Sequence, residues 1–264
     1  MSAFIGITDP FPESRARRLA GLVDALSMQG FTDPQVLEWK GGVAAWFDST
    51  HQPRQASRFL RRGDGFVALV GVLRYRGRYH AAALEALFDD FVSPERLDPF
   101  DFAGNFQLLI VKNDRGWVFN DPVGMVKLYH LPDGDVFSTS WLACATLAGR
   151  LRLDRLAAQE YVLTSANYGL RTPFREVRLW DPRKALPLQA DTPAPIIWPA
   201  SIWQNGRPFR DLDEAVDACA ATLSQRFGEV KREFPGDVVT ALSGGYDSRL
   251  QLAGLLQAGA KPWL

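Results

Sequence analysis

Val238-Val239-Thr240-Ala241-Leu242-Ser243-Gly244-Gly245-Tyr246-Asp247-Ser248-Arg249-Leu250 is the stretch whose residue types and spacing are best suited to chemistry. Strand-favouring and small apolar residues run into a Ser-Gly-Gly turn. An Asp-Ser pair follows, and an apolar-rich helical pattern then reaches Gln257. A strand, a tight glycine loop and a helix N-terminus together turn backbone N–H groups and a helix dipole toward an anion. Gly244 and Gly245 permit positive φ and close approach, while Ser243 and Ser248 bring hydroxyl donors suited to phosphate oxygens. Asp247, at the mouth of such a loop, is a candidate magnesium ligand for a nucleotide's phosphates.

Little else in the composition suggests a reactive centre. The 264 residues are 47% apolar and 23% charged, ordinary for a globular protein of one or two domains. Lys plus Arg equals Asp plus Glu at 30 each, so no charge imbalance points to nucleic acid or an anionic membrane as partner. Arg54, Arg58, Arg61 and Arg62 are not accompanied by a basic stripe with interleaved aromatics and read as a solvated face. Cys144 and Cys219 are both expected as buried thiols. His51, His80 and His130 lack ligand spacing, which argues against zinc. No apolar run has transmembrane length and no signal peptide is evident, so a soluble, cytoplasmic protein is expected.

The elements that must carry the loop follow from periodicity. Ala3–Ile7, Val43–Phe47, Phe66–Leu73, Phe106–Val111, Gly116–Asn120, Leu128–His130 and Val136–Ser140 read as strands. Asn113 and Asp114 carry hairpin-turn chemistry, and Asp121-Pro122-Val123-Gly124 has the residues of a type I turn. Helical spacing covers Ser14–Met28, Ala81–Phe91 and Leu156–Thr164. Pro193, Pro195 and Pro199 mark a linker, and Asp211 followed by Glu214 starts a further helix with Leu212, Val216, Cys219, Leu223, Phe227 and Val230 on one stripe. The expected organisation is a strand-rich domain over 1–192, a linker over 193–210, and a helix–strand–loop–helix unit over 211–264. That unit offers one clear strand at Val238–Leu242 and room for the start of another at Trp263–Leu264, too little for a covered parallel sheet. It is expected to be catalytically incomplete and to lean on the first domain through the 212–230 stripe.

Ser243-Gly244-Gly245-Tyr246-Asp247-Ser248 resembles the ATP-pyrophosphatase loop of asparagine synthetase-like enzymes. Upstream, Asp101-Phe102-Ala103-Gly104-Asn105-Phe106, then Asp121-Pro122-Val123-Gly124-Met125 with Leu128-Tyr129, is similar to the class II glutamine amidotransferase domain of the same family. Ser138–Ala143 and Thr172–Val177 fit in the same order. Relatives include β-lactam synthetases and lasso-peptide cyclases. The resemblance implies an α+β and α/β protein, an N-terminal-nucleophile-type αββα sandwich followed by an incomplete doubly wound nucleotide-binding unit. It further implies ATP held by Ser243, Gly244, Gly245 and Ser248, magnesium held by Asp247, and adenylation of a small-molecule or peptide carboxylate that an amine then attacks. Association as a homodimer stays open.

Departures from the family pattern bear on the first domain. Glutamine-using members carry a cysteine after Met1, where this chain has Ser2, whose hydroxyl is far less acidic than a thiol. The family's glutamine-holding Asn-Gly-Glu reads Val70-Gly71-Val72, and Arg249 stands where the family often has Ser or Thr. Asp101 alone keeps a matching glutamine-site position, with a turn or cap role equally open. Three readings result. They are an amide-forming protein without glutaminase activity, a non-catalytic binding or scaffold module, and a serine N-terminal-nucleophile amidohydrolase.

Overall fold

A computed structural model describes residues 3–9, 11–48, 58–189, 192–199, 208–234, 236 and 238–263, which divide into compact units Met1–Ile202 and Trp203–Leu264. The first unit begins with β1 (Ala3–Thr8), α1 (Pro12–Ser27), β2 (Gln35–Trp39), β3 (Gly42–Phe47), β4 (Phe59–Arg62) and β5 (Gly65–Gly71). After these come β6 (Arg74–Tyr75), α2 (His80–Asp90), β7 (Phe102–Ala103), β8 (Phe106–Lys112) and β9 (Arg115–Asn120). β10 (Tyr129–His130), β11 (Val136–Ser138), α3 (Trp141–Ala148), α4 (Arg155–Thr164), β12 (Arg178–Leu179) and β13 (Leu186–Pro187) complete it.

The longer strands form two antiparallel sheets, ordered β12-β10-β11-β1-β3-β2 and β13-β9-β8-β5-β4. Strand periodicity assigns every side chain a layer. Ile5, Ile7, Val43, Ala45 and Phe47 face α1 and α3, where Leu22, Leu26 and Cys144 complete a core. Phe4, Ala44 and Trp46 point the other way and meet Phe66, Ala68, Leu109 and Val118 of the second sheet. Val67, Leu69, Ile110 and Phe119 then face Leu84, Leu87 and Phe88 of α2. The layers are therefore helix, sheet, sheet, helix. Burial on both faces explains why the central strands read as unbroken apolar runs rather than alternating ones. Trp46 Nε1 donates to the Leu69 carbonyl at 3.3 Å, a polar tie between the two sheets.

Local signals set the registers. Asn113 and Asp114 adopt φ of 53° and 61°, the paired left-handed turn that matches strand twist, and align Lys112 with Arg115. At Gly6 an added Cβ would lie 2.1 Å from Cζ of Phe137, so glycine lets that ring cross the sheet face.

The first unit extends beyond the expected boundary at Thr192. Ile197 and Trp198 are buried, and the Trp198 indole packs edge-on to Phe102 at 5.3 Å and donates from Nε1 to the Asn120 carbonyl at 2.8 Å. The Pro195 carbonyl accepts from Ala185 N at 3.0 Å. The prolines thus shape an extended segment laid on the core. Periodicity alone does not mark β2, β4 or α3. α3 has a usable signal in Ser140, whose hydroxyl caps it by accepting from Ala143 N at 3.3 Å.

The second unit holds α5 (Leu212–Glu233) and α6 (Tyr246–Gln257). Asp211 caps α5 by accepting from Glu214 N at 2.8 Å. Phe227 packs flat against Gly254, where a Cβ would meet its ring at 2.1 Å. Within this unit α6 covers only the C-terminal half of α5, so Leu212, Val216 and Cys219 are exposed. Cys219 is therefore not the buried thiol its helical stripe suggested. Among the described residues, parallel pairing between Val239 and Trp263 is all the sheet this unit shows, and a doubly wound sheet is not seen.

Two measurements test this architecture. Trp198→Ala should lower stability by about 3–5 kcal/mol in urea unfolding, because it empties a packed site and orphans the Asn120 carbonyl. Burial pushes the Cys144 thiol up to about 12, so at pH 8 a thiol reagent should label Cys219 rapidly and Cys144 only on unfolding.

Candidate functional site

The phosphate-loop candidate is built from a strand, a loop and a helix start. Val238 to Thr240 is extended and pairs in parallel with the Trp263 segment, Trp263 N donating to the Val238 carbonyl at 2.8 Å and Thr240 N to the Trp263 carbonyl at 2.9 Å. The chain then turns through Ser243 and Gly244, whose φ of 78° suits glycine. Gly245 is the N-cap of α6 and, lacking a side chain, leaves the helix's first amides uncapped. The α6 start lies where the sequence reading puts it, whereas the expected strand Val238–Leu242 amounts to a single parallel bridge between Val239 and Trp263.

The hydroxyls behave differently from expectation. Ser248 is buried, donates to the Gly245 carbonyl at 3.1 Å, and accepts from both Ser243 N and Ser243 Oγ at 3.2 Å. Each serine has a single hydroxyl proton, and both are used inside the loop. Ser248 therefore clamps the turn, and the donors left for an anion are the backbone amides of Gly244, Gly245 and the first turn of α6. Arg249 folds back on the same turn, its guanidinium 4.6 Å from the Tyr246 ring centre and its Nε 3.4 Å from the Gly245 carbonyl. Asp247 is exposed and borders a cavity of about 480 Å³ lined mainly by Leu223, Phe227, Val230, Val239 and Leu250. Among the described residues no group of three His, Cys, Asp or Glu side chains is placed to hold a metal.

A second candidate lies at one end of the sandwich of Met1–Ile202. Ala3 at the start of β1, Val70-Gly71-Val72 at the end of β5, and Thr139 and Ser140 after β11 line a cavity of about 610 Å³ together with Asp48, Arg58, Lys127 and Tyr129. Ser2, the expected nucleophile position, lies outside the described residues. Val70 and Val72 bring no amide or carboxylate to this wall. The hydroxyls of Thr139 and Ser140 bond Phe4 and Gln29 respectively, and Ser140 also caps α3.

Asp101 is not among the residues lining this cavity. It closes a short 3₁₀ turn, accepts from Arg76 Nε at 2.7 Å, and takes the Arg76 amide on its carbonyl at 2.8 Å. Asp121 is fully buried, and its carboxylate accepts from Val123 N at 3.2 Å and Met125 N at 3.1 Å. With Gly124 N donating to the Asp121 carbonyl at 3.0 Å, Asp121–Gly124 is a self-sufficient turn that holds Met125 to Lys127 at the cavity rim. Asp48, Arg58, Lys127 and Tyr129 come from three separate segments, so the sequence alone does not mark them as neighbours.

No protein-family model matches the chain, and no curated protein matches it. Among solved structures, the glutamine phosphoribosylpyrophosphate amidotransferase from B. subtilis, complexed with ADP and GMP, is weakly similar. The match has 13% identity and a TM-score of 0.43, and covers 100% of this chain. This chain spans 65% of the length of that one. The layered arrangement of Met1–Ile202 accordingly rests on its own sheets and cores.

Ser248→Ala should free the turn. Its cost is expected at about 1 kcal/mol, read as faster hydrogen exchange at the Ser243 amide with α5 exchange unchanged.

Proposed function

We propose that the chain is an asparagine synthetase-like, ATP-dependent amide-forming protein whose sandwich domain does not hydrolyse glutamine. The observation that carries this reading is the Ser243–Ser248 turn between a parallel-paired strand and the uncapped start of α6. Amides of Gly244 and Gly245 would donate to phosphate oxygens at the positive end of the helix. Ser243 and Ser248 fix the turn from within. Asp247 would be the carboxylate that holds a magnesium ion, which when bound would neutralise phosphate charge. In this reaction class a carboxylate attacks the nucleotide's α-phosphorus, pyrophosphate leaves, and an amine displaces the adenylate to form the amide. ATP's adenylate and pyrophosphate halves must therefore both be held, the pyrophosphate at the Gly244–Gly245 turn.

The absence of glutaminase chemistry rests on the cavity wall, where Val70 and Val72 present no group to a substrate amide. Magnesium–ATP should raise the thermal midpoint saturably, by the equivalent of about 2.7 kcal/mol at a hundredfold excess over Kd. Gly244→Val, which forces a branched residue to positive φ, should abolish that shift. Glutaminase activity should be undetectable, and robust hydrolysis that disappears with Ser2→Ala would overturn this part.

A second reading is a non-catalytic binding or scaffold module. The internal use of both serine protons favours it, because the loop then offers a phosphate only backbone donors. A midpoint unchanged by millimolar magnesium–ATP would select it over the enzyme.

A further inference from the structure

The six-stranded sheet ends at β2, and among the described residues nothing pairs with the outer side of that strand. β2 and β3 join through the two-residue turn Lys40-Gly41, with Trp39 opposite Gly42. The pair that closes such a turn is hydrogen-bonded. Gln35, Leu37 and Trp39 therefore bond to β3, while Val36 and Glu38 turn their N–H and C=O groups outward. Leu37 and Trp39 point their side chains between the sheets, which leaves those of Val36 and Glu38 on the face that carries α1. Val36 is 53% exposed there. An edge with free backbone groups and an exposed apolar side chain is a template for another strand.

Beside this edge runs a groove of about 470 Å³. Leu19 and Val23 of α1, Val36 of β2 and Val43 of β3 give it an apolar lining, and Ala16 and Ala20 keep its helix wall low. Its charged lining residues are Arg15, Asp24 and Glu38, and none of the three makes an ion pair among the described residues. Two carboxylates thus stand against one guanidinium. Arg15 Nη1 and Trp39 Nε1 are buried donors without an acceptor. What the groove lacks is an apolar body, acceptors for two N–H groups and a cation for its carboxylates.

We propose that this groove takes an extended peptide segment of another chain, added to the sheet as a strand antiparallel to β2. That segment carries a large apolar residue opposite Val36 and a basic residue opposite Glu38. Main-chain hydrogen bonds to Val36 and Glu38 supply affinity, and side chains that alternate onto the α1 face supply selectivity. The apolar residue packs on Leu19, Val23 and Val43, and the basic residue meets Glu38 as a cross-strand pair. The peptide also brings carbonyl oxygens, the acceptor type that Arg15 and Trp39 lack. A second copy of β2 fits less well. Paired symmetrically about Leu37, it would set a Glu38 against each Val36 and add carboxylates to a groove that already has two. This inference goes beyond the nucleotide reading, and its test uses no nucleotide.

The probe is a fluorescently labelled peptide, Thr-Thr-Lys-Thr-Phe-Thr-Thr, amidated at its C-terminus and titrated with the full chain while anisotropy is read. Saturable binding is expected. In the antiparallel register the amides of its Lys and Phe point to β2, and that of the Thr between them points to solvent. Methylating the Phe amide should weaken binding at least about tenfold, whereas methylating that Thr amide should change it by less than about twofold. Glu38→Lys should also weaken binding, and replacing the peptide's Lys by Glu should then restore it. If Glu38→Lys does not fold, the two methylated peptides decide alone. Absence of saturable binding at millimolar peptide, equal losses from the two methylations, or a charge exchange that fails to restore binding would each overturn the proposal. So would a dimer in sedimentation that Val36→Lys dissociates, because a second copy then already holds the edge.

Discussion

Burial of both faces of two antiparallel sheets is the constraint on which the first unit depends. Each central strand must supply apolar side chains to a helix on one side and to the opposite sheet on the other. Phe4 and Ile5, Ala44 and Ala45, Val67 and Ala68 all divide in this way. Several buried polar residues complete one another, although Gln107 Oε1 finds no partner among the described residues. Gln107 and Asn120 share a hydrogen bond across β8 and β9, and Asn120 passes its remaining donors to the Val126 carbonyl. Asp121 consumes its charge on backbone amides of its own turn. The cavity lined by Val70, Gly71 and Val72 lies at one end of the sandwich, where strands stop and loops begin.

The charge arrangement at the cavity end follows from that geometry. Arg58 stands at the start of one sheet's edge strand and Asp48 at the end of a strand in the other, so closing the sandwich brings them together. An ion pair in such a place is not an obvious source of stability, because desolvating the guanidinium costs about as much as the pairing returns.

The phosphate-loop unit works by a different economy of donors. A glycine turn at a helix start is useful because it leaves amides unsatisfied, and that same feature makes it prone to collapse. Ser248 resolves the conflict by spending its hydroxyl on Gly245 and Ser243, which holds the turn open without capping it. Two serines that look equivalent in sequence therefore both act on the turn itself, and the backbone faces outward.

Much of this was legible in the residues alone. Apolar runs located the central strands, Asn113-Asp114 gave the β8–β9 hairpin, Asp211 with Glu214 gave the start of α5, and the Ser-Gly-Gly turn gave its loop, because each depends on interactions within a few residues. Tertiary structure decided the rest. Trp198 lies in a proline-rich stretch that reads as a linker, and only the aromatic pocket formed by Phe102, Phe106 and Phe119 makes it core. Cys219 sits on an apolar stripe, and only the short reach of α6 leaves it exposed. The meeting of Asp48 with Arg58, and the internal use of the Ser248 hydroxyl, are distances between side chains. Periodicity reports which face a residue occupies and says nothing of what stands opposite it.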